Sequence, residues 1–243
     1  MPVGQPVPWF LPVENGPCFC QSGKSFGECC GSQAPNRRPP AGVLVYSGFL
    51  DPETCENWVE RLEKQPRTRA TILEMSKSSP LARKNVVDPA RVCFDVKPGP
   101  LRKRIDERIT AGYRRAAMQI GRQLEWYETP RILRYEPGGF YQRHSDSCQV
   151  DQPSKTWYKV QDRDLSLLLY LNEDYTGGGL SFINFHFHFR PRAGDLLVFP
   201  SDNRYEHQAE RVESGVRYAI ASWATLIGSP RVLTGPPRGA IRF

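Results

Sequence analysis

The chain has 243 residues, 39% of them hydrophobic and 24% charged, with a net charge of +7. That balance fits one sizeable globular domain plus a small appendage, and no run of 18 or more apolar residues is present to span a bilayer. Seven cysteines, an odd number in a chain whose first residues lack a basic start and an apolar block, argue against a secreted disulfide framework and for a cytoplasmic setting.

Residues 1–16 are Pro-rich and predicted to be irregular. Residues 17–31 carry the run CFCQSGKSFGECC, which places Cys18, Cys20, Cys29 and Cys30 in a C-x-C-x8-C-C pattern. Four thiolates this close can satisfy a tetrahedral zinc site. Gly23 and Gly27 allow the turn, and Phe26 supplies a miniature core. Residues 32–42 form a Pro-rich basic linker, and the composition then changes for good.

A strand is predicted over 43–49, followed by a helix over 52–65 with Asp51 as its N-cap and Pro52 at its first position. Cys55, Trp58, Val59 and Leu62 fall on one stripe of that helix. Weak strands and turns fill 67–96. A second helix is predicted over 100–122, with Ile105, Ile109, Ala116 and Ile120 on one stripe. Its other face is strongly basic and reads as a solvated face. From Glu125 onward the texture is β, with strands expected at 130–136, 140–144, 164–171, 179–189, 195–199 and 216–226, punctuated by Gly and Pro. The last stretch, 228–243, reads as a loose basic tail. Short strands after two helices suggest a double-sheet barrel buttressed by helices.

The segment RILRYEPGGFYQRHSDS offers His144 and Asp146. On extended backbone, side chains at i and i+2 point the same way, so one stretch can present an imidazole and a carboxylate to one ion. His207 follows the strand 195–199 as a third ligand. Two histidines and one carboxylate leave three positions open, which suits iron(II) with a chelating cosubstrate and oxygen. Arg217, ten residues after His207, stands among apolar strand residues and can clamp a distal carboxylate in a bidentate fork. Its plainer alternative is an exposed position facing water.

In the order and spacing of YSGFLDPETCENWVERL, ILRYEPGGFYQRHSD, LSLLLYLNEDYTGGGLSF and RPRAGDLLVFPSDNRYEHQAERVESGVRYAIASWA, residues 43–227 resemble the prolyl 4-hydroxylase-like branch of the 2-oxoglutarate oxygenases. The resemblance implies a mainly β fold with flanking helices: a double-stranded β-helix, the jelly-roll or cupin-like barrel, with helices packed on one sheet. It implies a dioxygenase that couples decarboxylation of 2-oxoglutarate to hydroxylation of a C–H bond. Fe(II), 2-oxoglutarate and O2 are then required, with ascorbate as a further candidate. By the same resemblance His144, Asp146 and His207 hold the iron, Arg217 binds the distal carboxylate, and the hydroxyls of Tyr135 and Tyr170 approach 2-oxoglutarate. Tyr141 lines the substrate or iron pocket. Each tyrosine reads equally well as a core aromatic.

The connection 147–163 follows Asp146 at the mouth of such a barrel. Trp157 and Tyr158 could cover a substrate there, or pack on a surface loop. His186 and His188 alternate with Phe185, Phe187 and Phe189; alternation puts the phenylalanines inside and Asn184, His186, His188 and Arg190 on the outer face. The cysteine cluster resembles the SEC-C zinc motif, with Gln21 where a glycine is usual. That resemblance implies structural Zn(II) and docking to a protein or ribosome-associated partner. The expected substrate is a prolyl or other side chain of a protein; the alternative is a free amino acid or a small metabolite. A nucleic-acid substrate is disfavoured by the short spacing from His207 to Arg217, and a catalytically dead adaptor by the intact triad.

Overall fold

The computed structural model describes residues 5–7, 14–18, 23–29, 38–75, 83–151 and 154–243. Two antiparallel sheets face each other. The larger runs in the order Leu44–Tyr46, Leu196–Pro200, Leu165–Tyr170, Arg217–Leu226, Arg131–Tyr135, Phe94–Val96 and Arg67–Arg69, with Leu124–Tyr127 and Ile241–Arg242 added beside its central strand. The smaller runs Phe187–Phe189, Leu180–Phe182, His207–Ala209, Phe140–His144 and Arg91–Val92. This is the expected mainly β barrel with helices on one sheet.

All ten residues of Arg217–Leu226 are buried, because both faces of this strand are covered, and a doubly covered strand reads as a near-continuous apolar run. Tyr218, Ile220, Ala224 and Leu226 face the helices, in one cluster with Leu167, Leu169, Leu196 and Val198. Arg217, Ala219, Ala221 and Trp223 take the alternate positions and face the smaller sheet. The same alternation turns Tyr170, Leu197 and Phe199 inward against Leu180 and Phe182.

The helix α1 (Pro52–Glu63) starts where Asp51 accepts a hydrogen bond from Thr54 N at 2.8 Å. It buries Cys55, Trp58 and Leu62 and ends two residues before the predicted limit. The helix α2 (Arg102–Ile120) buries Ile105, Ile109, Tyr113, Ala116 and Ala117 on the larger sheet. Gly112 lets it come close: a Cβ there would stand 2.8 Å from Leu196 Cδ2. Gly121, at φ +64°, caps α2 in the left-handed conformation that favours glycine.

Four expectations need correction. The stretch 179–189 is not one strand. It breaks into Leu180–Phe182, a turn of 3-10 helix at Ile183–Phe185, His186 at φ +48°, and Phe187–Phe189. The break turns Asn184 inward, where its amide donates to the carbonyls of Asn203 and Arg204; His186 and His188 stay exposed. Residues 1–16 are not wholly irregular, since Gln5–Val7 pairs antiparallel with Thr156–Lys159. The connection 147–163 is largely that hairpin, Cys148–Asp151 against Thr156–Lys159. The tail is not loose. Asp162 accepts from the backbone of Val232 and Leu233 at 2.8 and 3.1 Å, Ile241–Arg242 pairs with Leu124–Tyr127, and the Phe243 ring lies 5.4 Å from that of Tyr127.

Of the cysteine cluster, Cys20 and Cys30 lie outside the described residues. Cys18 N donates to Lys24 O and Cys29 N to Phe26 O, so the chain turns back on itself between them. Cys18 and Phe26 are buried and belong to one apolar cluster with Val43, Phe185 and Tyr205. Among the described residues, no helix is long and apolar enough to cross a membrane.

Candidate active site

His144 and His207 are 63 positions apart in sequence and directly opposite in the structure. They are register partners of the antiparallel pair Phe140–His144 and His207–Ala209, and their ring centroids lie 4.3 Å apart. The register shifts between Tyr141 and His144, an irregularity that re-aims the end of the strand. Asp146 follows just past that end. Its Oδ1 lies 3.6 Å from His144 Nε2 and its Oδ2 3.6 Å from His207 Nε2. The three candidate ligand atoms all fall within 4.8 Å of one another.

Both rings are oriented by the same local device. His144 Nδ1 meets Gln142 O at 2.8 Å and His207 Nδ1 meets Tyr205 O at 3.0 Å. A carbonyl only accepts, so Nδ1 carries the proton in each ring and Nε2 presents its lone pair inward. Burial and the neighbouring His144 ring push His207 down to about 4, against the pull of Asp146. Burial would raise the Asp146 carboxyl, but the His207 and His144 rings, with Arg163 beyond them, hold it well below the usual carboxylate range. At neutral pH His207 is therefore neutral and Asp146 ionised, the protonation states that metal ligation requires.

Several residues that sequence reasoning missed hold this arrangement. Ser166 Oγ donates to Asp146 Oδ2 at 2.6 Å and is itself within 2.7 Å of Ser201 Oγ. Arg163 donates from Nη1 to Asp146 O at 3.2 Å, pairs with Glu128 bidentately through Nε and Nη2, and lies 4.0 Å over the Trp223 ring. Glu128 is 35 positions from Arg163, so no local sequence signal announces the pair.

Arg217 points into the same cavity from the larger sheet. It is 2% exposed, its guanidinium lies 4.0 Å over the ring of its register partner Tyr135, and Nη1 donates to Gly178 O. Its Nε is buried and has no hydrogen-bond partner among the described residues. Tyr135 and Tyr170 line the cavity beside it. Burial pushes both phenols up, so both remain protonated donors. Tyr141 stacks on His144, centroid to centroid 3.6 Å, and with His144 and Asp146 lines both the inner cavity and an outer cleft of about 440 Å³. Trp157 lines that cleft. Tyr158, its neighbour on the strand, points to the opposite face and lines neither space.

The donor set fits the groups it was expected to hold. Two imidazole nitrogens and one carboxylate leave an iron ion open positions, and a buried, half-partnered guanidinium across the cavity fits a carboxylate.

Residues 130–225 match the family model described as the 2OG-Fe(II) oxygenase superfamily. That segment spans 96 of the 243 residues. It contains His144, Asp146, His207 and Arg217. A candidate prolyl 4-hydroxylase of Acanthamoeba polyphaga mimivirus is 36% identical over 106 residues, which cover 40% of this chain and 44% of that protein. Prolyl 3-hydroxylase 2 of Homo sapiens is 32% identical over 92 residues, covering 34% of this chain and 13% of that protein. The chain thus spans less than half the length of either relative. A solved prolyl hydroxylase of Trichoplax adhaerens, in complex with a hypoxia inducible factor oxygen degradation domain peptide fragment, matches with a TM-score of 0.54 at 18% identity. The match covers 76% of this chain and 83% of that one. At this identity the likeness shows the fold alone, the double-stranded β-helix of 2OG-Fe(II) oxygenases.

Proposed function

We propose that this protein is a Fe(II)- and 2-oxoglutarate-dependent dioxygenase that hydroxylates a prolyl or other side chain of a protein. One observation carries the reading: a triad with both Nε2 atoms freed by Nδ1–carbonyl bonds shares a cavity with a buried arginine whose Nε lacks a partner. His144, Asp146 and His207 would hold the iron. Arg217, with the hydroxyls of Tyr135 and Tyr170, would hold the distal carboxylate of 2-oxoglutarate. Bound iron(II), 2-oxoglutarate and O2 supply the oxidising chemistry, yielding succinate, carbon dioxide and the hydroxylated product.

The chain's own residues then position and shield. Ser166 occupies one lone pair of Asp146 Oδ2, which steers the remaining carboxylate oxygen toward the metal. Tyr141 lines both cavity and cleft. Trp157, on the hairpin beside the mouth, would cover a bound segment. The cleft's polar lining, including Gln142, Arg143, Gln149, Gln161 and Glu206, suits the backbone and side chains of a peptide. Cys18, Cys20, Cys29 and Cys30 would hold a structural zinc that docks the enzyme to a protein or ribosome-associated partner in the cytoplasm.

The test is to incubate iron-loaded protein with 2-oxoglutarate and a cell lysate, and to search the proteome for a gain of one oxygen. The reading expects a modified protein in the wild-type reaction and none with His144→Ala. Turnover of free amino acids with no protein modified would move the assignment to a small-molecule hydroxylase.

A further inference from the structure

The iron cavity contains a second buried guanidinium that the reading above does not use. Arg91, on the strand Arg91–Val92, is 4% exposed and lines the same cavity as the triad and Arg217. Its polar contacts are long and uncharged: Nε reaches Cys93 Sγ and Nη1 reaches Thr71 O, each at 3.4 Å. Among the described residues no carboxylate lies within ion-pair distance of it. Other fully or partly buried arginines are different. Arg134 pairs with Glu63 and Glu136, Arg163 with Glu128, and Arg131 with Asp95. A buried guanidinium without a counter-charge is destabilising unless an anion arrives. In this cavity Arg217 is in that state, and Arg91 shares it.

The two sit at different places. Arg217 belongs to the larger sheet and lies over Tyr135. Arg91 belongs to the smaller sheet, opposite Tyr141 in the register, with its guanidinium 4.7 Å from the Tyr141 ring centroid. Tyr141 stacks on His144 and lines both cavity and cleft, and Ala90 lines the cleft as well. Arg91 is therefore beside the passage from cleft to metal. Charge points the same way. Iron(II), Arg91 and Arg217 bring four positive charges, while Asp146 and a 2-oxoglutarate dianion bring three negative ones. One further negative charge balances the loaded cavity.

We propose that Arg91 anchors a carboxylate of the primary substrate, so that the hydroxylated residue carries a free carboxylate: a C-terminal residue or an acidic side chain of a protein. This rests on the oxygenase reading and narrows its substrate class. The hydroxylated C–H then lies within one residue's reach of the guanidinium.

The test uses full-length protein loaded with Mn(II). Metal-dependent binding of 2-oxoglutarate by the wild type is measured first; its absence would overturn the oxygenase reading itself, and this proposal with it. The saturated protein is then titrated with the twenty N-acetyl amino acids, each as the free acid and as the amide. In the wild type, only compounds bearing a carboxylate should bind. Arg91→Met should weaken their binding about tenfold or more, the loss expected for a charged hydrogen bond. It should leave 2-oxoglutarate affinity within about threefold and the ligand-free melting temperature unchanged or higher, because an unpaired buried charge has been removed. Equal binding of acids and amides would overturn the proposal. So would a 2-oxoglutarate affinity that collapses in Arg91→Met, which would make Arg91 part of the cosubstrate site. A lower ligand-free melting temperature in both Arg91→Met and Arg91→Lys would make it a structural arginine.

Discussion

Ser166 Oγ donates to Asp146 Oδ2 at 2.6 Å across the gap between the larger sheet and the ligand loop. The bond links the covered, rigid strand Leu165–Tyr170 to the only carboxylate of the triad. Outer-shell partners of this kind orient a ligand and commonly contribute 10–100-fold in metal affinity. Ser166→Ala should therefore weaken Fe(II) or Mn(II) binding by about that factor with little change in folding stability. Metal titration monitored by calorimetry reads it directly; an unchanged dissociation constant would remove Ser166 from the site.

The buried His207 makes the metal-free protein acid-sensitive. Its folded value of about 4 lies below the 6.5 of an unperturbed histidine, so between those two values the unfolded chain binds the extra proton. Stability must then rise with pH across that window and fall as pH drops from about 6.5 toward 4, by about 3 kcal/mol from this group alone. Below pH 4 both states carry the proton and the contribution stops changing. Urea unfolding of the metal-free protein at pH 7 and pH 4.5 should show a difference about 2 kcal/mol larger in the wild type than in His207→Gln. Equal differences would contradict it.

The docked tail makes a prediction about stability. Asp162 is buried and its carboxylate accepts the backbone N–H groups of Val232 and Leu233. Asp162→Ala leaves those donors without their partner, which should cost about 1–3 kcal/mol. It should also expose the bonds after Arg231 and Arg238 to trypsin. Proteolysis no faster than in the wild type would mean that the pairing of Ile241–Arg242 and the packing of Phe243 suffice to hold the tail.

Much of this was legible in the chain. Asp51 and Pro52 marked the start of α1, because capping is a local property. The strand Arg217–Leu226 announced itself as a near-continuous apolar run after one arginine, and the spacing of His144 and Asp146 on extended chain pointed to two candidate ligands once His207 and Arg217 were set beside them. Partnerships between distant positions were not legible. Arg163 with Glu128, Ser166 with Asp146, and Arg91 beside Tyr141 depend on strand register, which no single segment encodes. The alternation of Phe185, Phe187 and Phe189 suggested one strand, but the left-handed turn at His186 breaks it. The tail's Gly and Pro content suggested a loose end, while its anchors, Asp162 and Tyr127, lie far back in the sequence.

For this chemistry to run, the cavity must hold metal at one end and a carboxylate at the other. The direct measurement is calorimetric titration of 2-oxoglutarate into wild type and Arg217→Gln, each with and without Mn(II). Truncating one partner of a buried charged pair weakens binding by about 2–5 kcal/mol. The expected result is binding that requires the metal and weakens at least about thirtyfold in the variant. Binding of equal strength without metal, or in Arg217→Gln, would contradict it.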